Sequence, residues 1–252
     1  MRNASACSLA AILFAVCTSC TQPPAAITIA AAANLTETFR AVGVKFEAET
    51  GIHPVFSFAS TAQLTQQAAN GAPFDLIAAA DTQHLDELER GGFLVPGSKA
   101  IYARGSLALW IPPPNRGGIR GLQDLSGAQV RVIAIAKPEL APYGQAAVDA
   151  LRHANLWERV QAKVVYADNI NVARQYGLSG NADAVFSAYA LVKNDGGEVL
   201  RVDPQLYSPI DQALGILVSS EHRDEARRFA DFVLRGNGRD VLRASGYELP
   251  SP

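Results

Sequence analysis

Cysteine is confined to the start of the chain. Cys7, Cys17 and Cys20 are the only three. The remainder therefore carries no disulfide framework and no cysteine metal site. Charge is scarce as well: 18% of residues are charged and the formal net charge is −2. That balance leaves no electrostatic footprint for nucleic acid, and the seven tyrosines and two tryptophans are not clustered as base-stacking platforms. The apolar run 9–16 (LAAILFAV) falls far short of the roughly 20 residues that span a membrane. The four histidines, His53, His84, His153 and His222, lie far apart without HExxH spacing, so no metal site is expected. Walker-type and GxGxxG motifs are absent. Gly177-Leu178-Ser179-Gly180 is not a nucleophile elbow, because its second glycine comes one position early. No internal repeat of 20–50 residues and no low-complexity tract appears.

The N-terminus reads as a targeting segment. No charged residue follows Arg2 until Glu37, and a short apolar core between them is the anatomy of a secretory signal. Cys17-Thr18-Ser19-Cys20 resembles a bacterial lipobox, with cysteine where leucine is usual. Two outcomes stay open: lipidation at Cys20, or plain cleavage near Ala25 or Ala26. Residues 1–26 are thus a signal and tether, with 21–26 (TQPPAA) as the tether itself.

With 252 residues and 48% hydrophobic composition, the rest can build one large or two small domains with a real core. Residues 27–39 (ITIAAAANLTETF) set the pattern: a β-branched start, four alanines, a turn at Asn34, then apolar positions Leu35, Phe39, Val42 and Phe46 at helical spacing. Asn34 with Glu37 three residues on predicts a capping box, as does Ser60 with Gln63. Strands are expected at 55–58, 74–79, 106–111, 130–136, 164–166, 184–187 and 212–218. Helices are expected between them and over 221–235 and 240–244. The order is βαβαβα followed by a second βα series, an α/β chain of parallel strands with helical crossovers. Two series imply two lobes: 27–103 with 208–252, and 104–207. Chain crossings between them make a hinge with a cleft at the strand ends.

Four neutral turns fall at strand C-termini, two per lobe: Ala33-Asn34, Ser60-Thr61, Pro142-Tyr143-Gly144 and Asn169-Ile170. Each precedes a helix, and helix N-termini present free N–H groups and partial positive charge. Converged, they would form a cup of donors for a small anion. A hydrogen bond to a charged partner contributes about 1.5–3 kcal/mol. Some four to six of them reach the range of about −8 to −12 kcal/mol of a micromolar to nanomolar binder, after ordering and desolvation costs. Asn34 and Ser60 read equally as plain caps, Tyr143 as a packed ring and Ile170 as a core residue. Asp75, Asp81 and Asp183 stand at strand ends, where acids of a secreted α/β hydrolytic enzyme would sit, and also where capping or bracing acids sit.

AAANLTETF, SFASTAQL, NGAPFDLIAAAD, PELAPYGQAAVDAL and GNADAVFSAYALV together resemble the periplasmic molybdate-binding proteins of ABC transporters, over about residues 27–248. The resemblance implies a two-lobed type II periplasmic binding protein fold, each lobe a mostly parallel sheet flanked by helices. It implies a solute-binding protein, not an enzyme, that binds molybdate and with it tungstate. The oxyanion would be held by neutral donors with no direct metal coordination and no cofactor. Ligand positions then fall on Asn34, Thr61 with Ser60 beside it, Tyr143, and the backbone of Ile170. Members with alanine in the PxG turn bring a tyrosine from a later strand; that position is Ala188 here, with Tyr189 next to it. Thr61-Ala62 replaces the family's serine run. The implied partner is an ABC permease, the implied state a monomer, and the implied location periplasmic, or membrane-anchored through Cys20. Sulfate, another small solute, or a hydrolase substrate remain the alternatives.

Overall fold

The computed structural model describes residues 26–115 and 118–250. Residues 1–25, on which the expected signal and lipobox and all three cysteines fall, lie outside the described residues.

The first sheet is built around β1 (Ala26–Ala32). β1 pairs in parallel with β2 (His53–Ala59) and β3 (Leu76–Ala78). Ala30, Ala31 and Ala32 are buried to 2% or less, so methyl-sized groups carry this central strand through the core. β4 (Ala100–Gly105) and β10 (Ile210–Ile216) complete the order β2-β1-β3-β10-β4, with β10 antiparallel to both neighbours. The second sheet repeats the plan. β6 (Ile133–Ala136) pairs in parallel with β7 (Val164–Ala167) and β8 (Ala184–Ala188), and β5 (Leu107–Ile111) runs antiparallel to β8 and to β9 (Glu198–Arg201). Its order is β7-β6-β8-β5-β9. In each lobe four strands run one way and one is reversed. The chain crosses between the sheets after Gly105 and again between β9 and β10.

Lobe one carries α1 (Thr36–Thr50), α2 (Thr61–Ala69), α3 (Gln83–Arg90), α8 (Arg223–Leu234) and α9 (Gly238–Ser245). Lobe two carries α4 (Pro142–His153), α5 (Trp157–Val160), α6 (Ile170–Leu178) and α7 (Tyr189–Val192). The helical spacing of Phe39 and Phe46 puts both rings inward, where they meet Phe229 of α8 edge-on at 5.8 and 5.1 Å. All three are fully buried; each contributes about 1.5–3 kcal/mol from burial, which locks α1 and hence the turn that precedes it. Gly51 ends α1 in the left-handed conformation at φ 70°, as its position suggested.

The βα order agrees with the sequence reading; of the expected box at Ser60 only the return bond forms, from the Ser60 N–H to Gln63 Oε1 at 3.3 Å. Two strands were not anticipated. β9 is a four-residue edge strand flanked by charges, which mutes any apolar pattern. β4 mixes apolar and charged residues at the crossing and reads as a linker. The Asn34–Glu37 capping box does not form. A 3-10 turn over Ala33–Leu35 comes first, Leu35 takes the N-cap position of α1, and no side chain caps it.

Candidate functional site

The strand-end turns of both lobes meet at one small pocket. Lobe one lends Ala32, Ala33 and Asn34 after β1, Ser60 and Thr61 after β2, and Ala80 after β3; lobe two lends Ala141, Pro142 and Tyr143 at the start of α4 and Asn169 and Ile170 at the start of α6. The space inside is about 10 Å³, on the order of one water molecule. No lining residue is charged. The N-terminal ends of α1 (through its 3-10 turn), α2, α4 and α6 all point here, so the site is electropositive through backbone dipoles alone.

Each donor has a local cause. At α6, the Asn169 side chain accepts from the N–H groups of Asn171 and Val172 at 3.0 and 3.1 Å. Ile170 is the first residue of that helix, so its own N–H has no intrahelical acceptor and is left for the pocket. At α2, the Ser60 N–H donates to Gln63 Oε1 at 3.3 Å, while the buried Ser60 hydroxyl has no partner at all. An unpartnered buried hydroxyl costs about 1–3 kcal/mol, and this one lies in the pocket wall. Thr61 Oγ1 accepts from the Ala80 N–H at 3.1 Å, which fills an acceptor position and frees its proton to donate. The Ala62 N–H reaches the Leu140 carbonyl of the other lobe at 3.2 Å. At α4, Pro142 occupies the first helical position, where its missing N–H costs nothing. Gly144 lets the helix end sit against β6: a Cβ there would fall 2.1 Å from the Ala136 carbonyl oxygen.

Asn34 enters differently from the expectation. Its amide nitrogen donates to Gln212 Oε1 at 2.9 Å and to the Tyr247 hydroxyl at 3.0 Å. Both side-chain N–H bonds are thereby engaged inside lobe one, and Asn34 meets the pocket at the 3-10 turn, where backbone N–H groups precede the first helical bond. Tyr143 is 3% exposed, and burial pushes its phenol well above the ordinary value, which keeps it a neutral donor. Ala188 does not belong with the others. It is fully buried at the end of β8, paired with Leu107, outside the pocket lining, and its methyl group offers no donor. Tyr189 packs its ring under the Arg201 guanidinium at 3.8 Å and is likewise outside the lining.

The three strand-end acids have bracing roles. Asp75 accepts from the Thr28 N–H at 2.7 Å and the Ser220 hydroxyl at 2.7 Å. Asp183 accepts from the N–H groups of Arg131 and Val132, and Asp81 holds the backbone and ring of His84. None lines the pocket. Among the described residues no group of three or more His, Cys, Asp or Glu could hold a metal ion, and no helix is long and apolar enough to cross a membrane.

The model of the family described as bacterial extracellular solute-binding protein matches residues 27–248. The chain belongs to that family. Among its curated relatives, a molybdate-binding protein ModA of Azotobacter vinelandii is 34% identical over 240 residues, covering 92% of this chain and 93% of that protein. The ModA of Rhodobacter capsulatus is 32% identical over 219 residues, 86% of each. The solved periplasmic molybdate-binding protein of Azotobacter vinelandii superposes with a TM-score of 0.84 at 30% identity, over 89% of this chain and all of that one. The two-lobed periplasmic binding protein fold follows from both the sheets and this match. For a solute-binding protein, the cleft between lobes is the place for its solute, and that is where the four helix ends meet.

Sequence reasoning missed Gln212, Tyr102, Tyr247 and Gly105, which surround the site from behind. None carries a motif: they stand on β4, on β10 and after α9, far along the chain from the turns they serve.

Proposed function

We propose that this protein captures molybdate, and with it tungstate, outside the cytoplasm and delivers it to the membrane permease of an ABC importer. The observation that carries this reading is a buried pocket with no charged side chain, ringed by four helix N-termini and holding a buried serine hydroxyl without a partner. Donors without acceptors suit a fully deprotonated tetrahedral dianion. Protonated phosphate has no acceptor for its hydrogen. Sulfate carries the same charge on shorter bonds, so size selects between it and molybdate. The likeness to molybdate-binding relatives supports the same ligand. The donor set is the Thr61 and Ser60 hydroxyls, the Tyr143 hydroxyl, and the backbone N–H groups at Asn34 and Ile170. Closure of the lobes around the anion excludes water and presents a liganded monomer to the permease. Residues 1–26 direct export, with Cys20 lipidation or cleavage near Ala26 deciding between an anchored and a free form.

Calorimetric titration of the mature domain with molybdate, tungstate, sulfate and phosphate tests the proposal. Saturable one-to-one binding of the first two, with the last two silent and no turnover of hydrolase substrates, is the expected result. Silence toward all four by a folded protein overturns it.

A further inference from the structure

Behind the pocket lies a buried polar chain that links the two lobes and is not itself part of the lining. Gln212, on the reversed strand β10, is fully buried. Its Oε1 accepts from Asn34 Nδ2 at 2.9 Å and from the Tyr102 hydroxyl at 3.0 Å. With two donors on the oxygen, the amide has one orientation, and its Nε2 donates across the cleft to the Tyr143 hydroxyl at 3.1 Å. Tyr143 belongs to lobe two; every other member of the chain belongs to lobe one. The Tyr143 hydroxyl donates to no acceptor among the described residues. A phenol whose oxygen already accepts must direct its proton elsewhere.

Two further observations fit this role. The hydroxyl has room to reach Gln212 only because residue 105 is glycine: a Cβ there would sit 1.8 Å from it and 2.6 Å from Gln212 Nε2. Tyr102 is itself held, its one hydroxyl proton shared between Gln212 Oε1 and the Ala79 carbonyl at 3.1 Å, and the Asn34 amide nitrogen, a donor only, fixes which end of the Gln212 amide faces it.

We propose that Gln212 is a positioning residue that makes the Tyr143 hydroxyl an obligate donor to the bound oxyanion, and does so only when the lobes are closed. Gln212 touches no ligand. It acts by occupying the lone pair through which Tyr143 could otherwise accept, and by pinning the ring of the opposite lobe. Thr61 has the same arrangement at shorter range, with the Ala80 N–H in the role of Gln212. The Tyr143 and Thr61 hydroxyls would thus be donors to the pocket by construction, and the selection of deprotonated oxyanions would rest in part on a residue outside the pocket. The inference rests on the oxyanion reading above.

The test is a double-mutant cycle on molybdate affinity with Gln212→Met and Tyr143→Phe, singly and together, with melting of each unliganded protein as a second readout. Gln212→Met keeps the volume and cannot donate to Tyr143. It is expected to weaken molybdate about tenfold when Tyr143 is present and less than about twofold in the Tyr143→Phe background. A merely structural role would lower melting and affinity alike in both backgrounds, and that result overturns the proposal, as does unchanged affinity in Gln212→Met. Should Gln212→Met fail to fold, Tyr102→Phe loosens the same amide from outside the pocket, and its smaller loss of affinity must likewise vanish with Tyr143→Phe; an equal loss in both backgrounds overturns the proposal. Wild-type silence toward molybdate, tungstate, sulfate and phosphate overturns the oxyanion function itself. Wild-type binding without coupling overturns only the role of Gln212.

Discussion

Gly105 lies directly beneath the Tyr143 hydroxyl, so close that a Cβ at residue 105 would overlap it at 1.8 Å. Gly105 is the last residue of β4, where the chain leaves lobe one, and Tyr143 starts the first helix of the lobe it enters. The hinge and the ligand site therefore meet at one contact. In this arrangement the phenol lies over the glycine, and a side chain there would have to displace it.

Gly105→Ala is accordingly expected to fold but to close poorly. Its conformation makes no special demand, as Gly105 is not among the glycines with positive φ; the conflict is steric, with the Tyr143 hydroxyl of lobe two and, at 2.6 Å, with Gln212 Nε2 of lobe one. Molybdate affinity should fall by more than about tenfold, and small-angle scattering with saturating ligand should give a larger radius of gyration than wild type. Wild-type affinity would show that the lobes close without this contact.

Thr61→Val separates two roles of one hydroxyl. The substitution keeps the shape, removes the donor aimed at the pocket, and strands the buried Ala80 N–H that Thr61 accepts from at 3.1 Å. The stranded group costs about 1–3 kcal/mol of stability, and the lost donor about tenfold or more in affinity. Thr61→Ser keeps both bonds and should recover both properties. Thermal melting without ligand reports the first loss, calorimetry the second.

The parts of this site that could be read from sequence are those that turn chemistry makes local. Asn169 caps two N–H groups of its own helix and so releases that of Ile170, all within four residues. Ser60 and Gln63 stand three apart, as their box requires. The failures have a common physical origin. Asn34 has the composition of an N-cap, but a 3-10 turn moves the helix start to Leu35, and the Asn34 amide nitrogen donates instead to Gln212, 178 residues away, and Tyr247, 213 away. Gln212 and Gly105 left no trace, because a polar residue inside a strand and a glycine at a crossing acquire meaning only when the lobes are brought together. Ala188, placed with the site by resemblance alone, lies outside the pocket lining at the end of β8, against Leu107.

Arg174 joins the lobes on the outer edge of the cleft. Its Nε donates to Asp195 at 2.6 Å within lobe two, and its Nη1 reaches Glu37 of α1 at 3.3 Å. Glu37 is half exposed, whereas Arg174 is 15% exposed. An exposed partner limits such a pair to less than about 1 kcal/mol, which corresponds to roughly a two- to fivefold change in ligand release. Glu37→Gln should speed molybdate dissociation by that factor at low salt, and the difference from wild type should shrink as ionic strength rises. Stopped-flow release at two salt concentrations measures it; a difference that does not depend on salt would assign the contact to packing.

His84 gives the stability a pH signature of its own. The hydrogen bond that Nδ1 donates to Asp81 Oδ2, at 2.7 Å, raises the imidazole above its ordinary 6.5 despite the opposing effect of burial. A group whose folded pKa lies above its unfolded one contributes stability that is fully present below the unfolded value, and loses it as pH rises through the folded value. His84→Gln should therefore destabilise the unliganded protein more at about pH 5.5 than at about pH 8.5. Melting of wild type and variant at both pH values is the measurement, and the quantity that matters is the difference between the two proteins, because other groups titrate in both. Asp81, His84 and Pro142 share one groove across the cleft next to the hinge, so the ion pair also stands beside the moving parts. Because His84 is not in the pocket lining, molybdate affinity at about pH 8.5 should be the same in both proteins. A loss of affinity at that pH would instead tie His84 to closure.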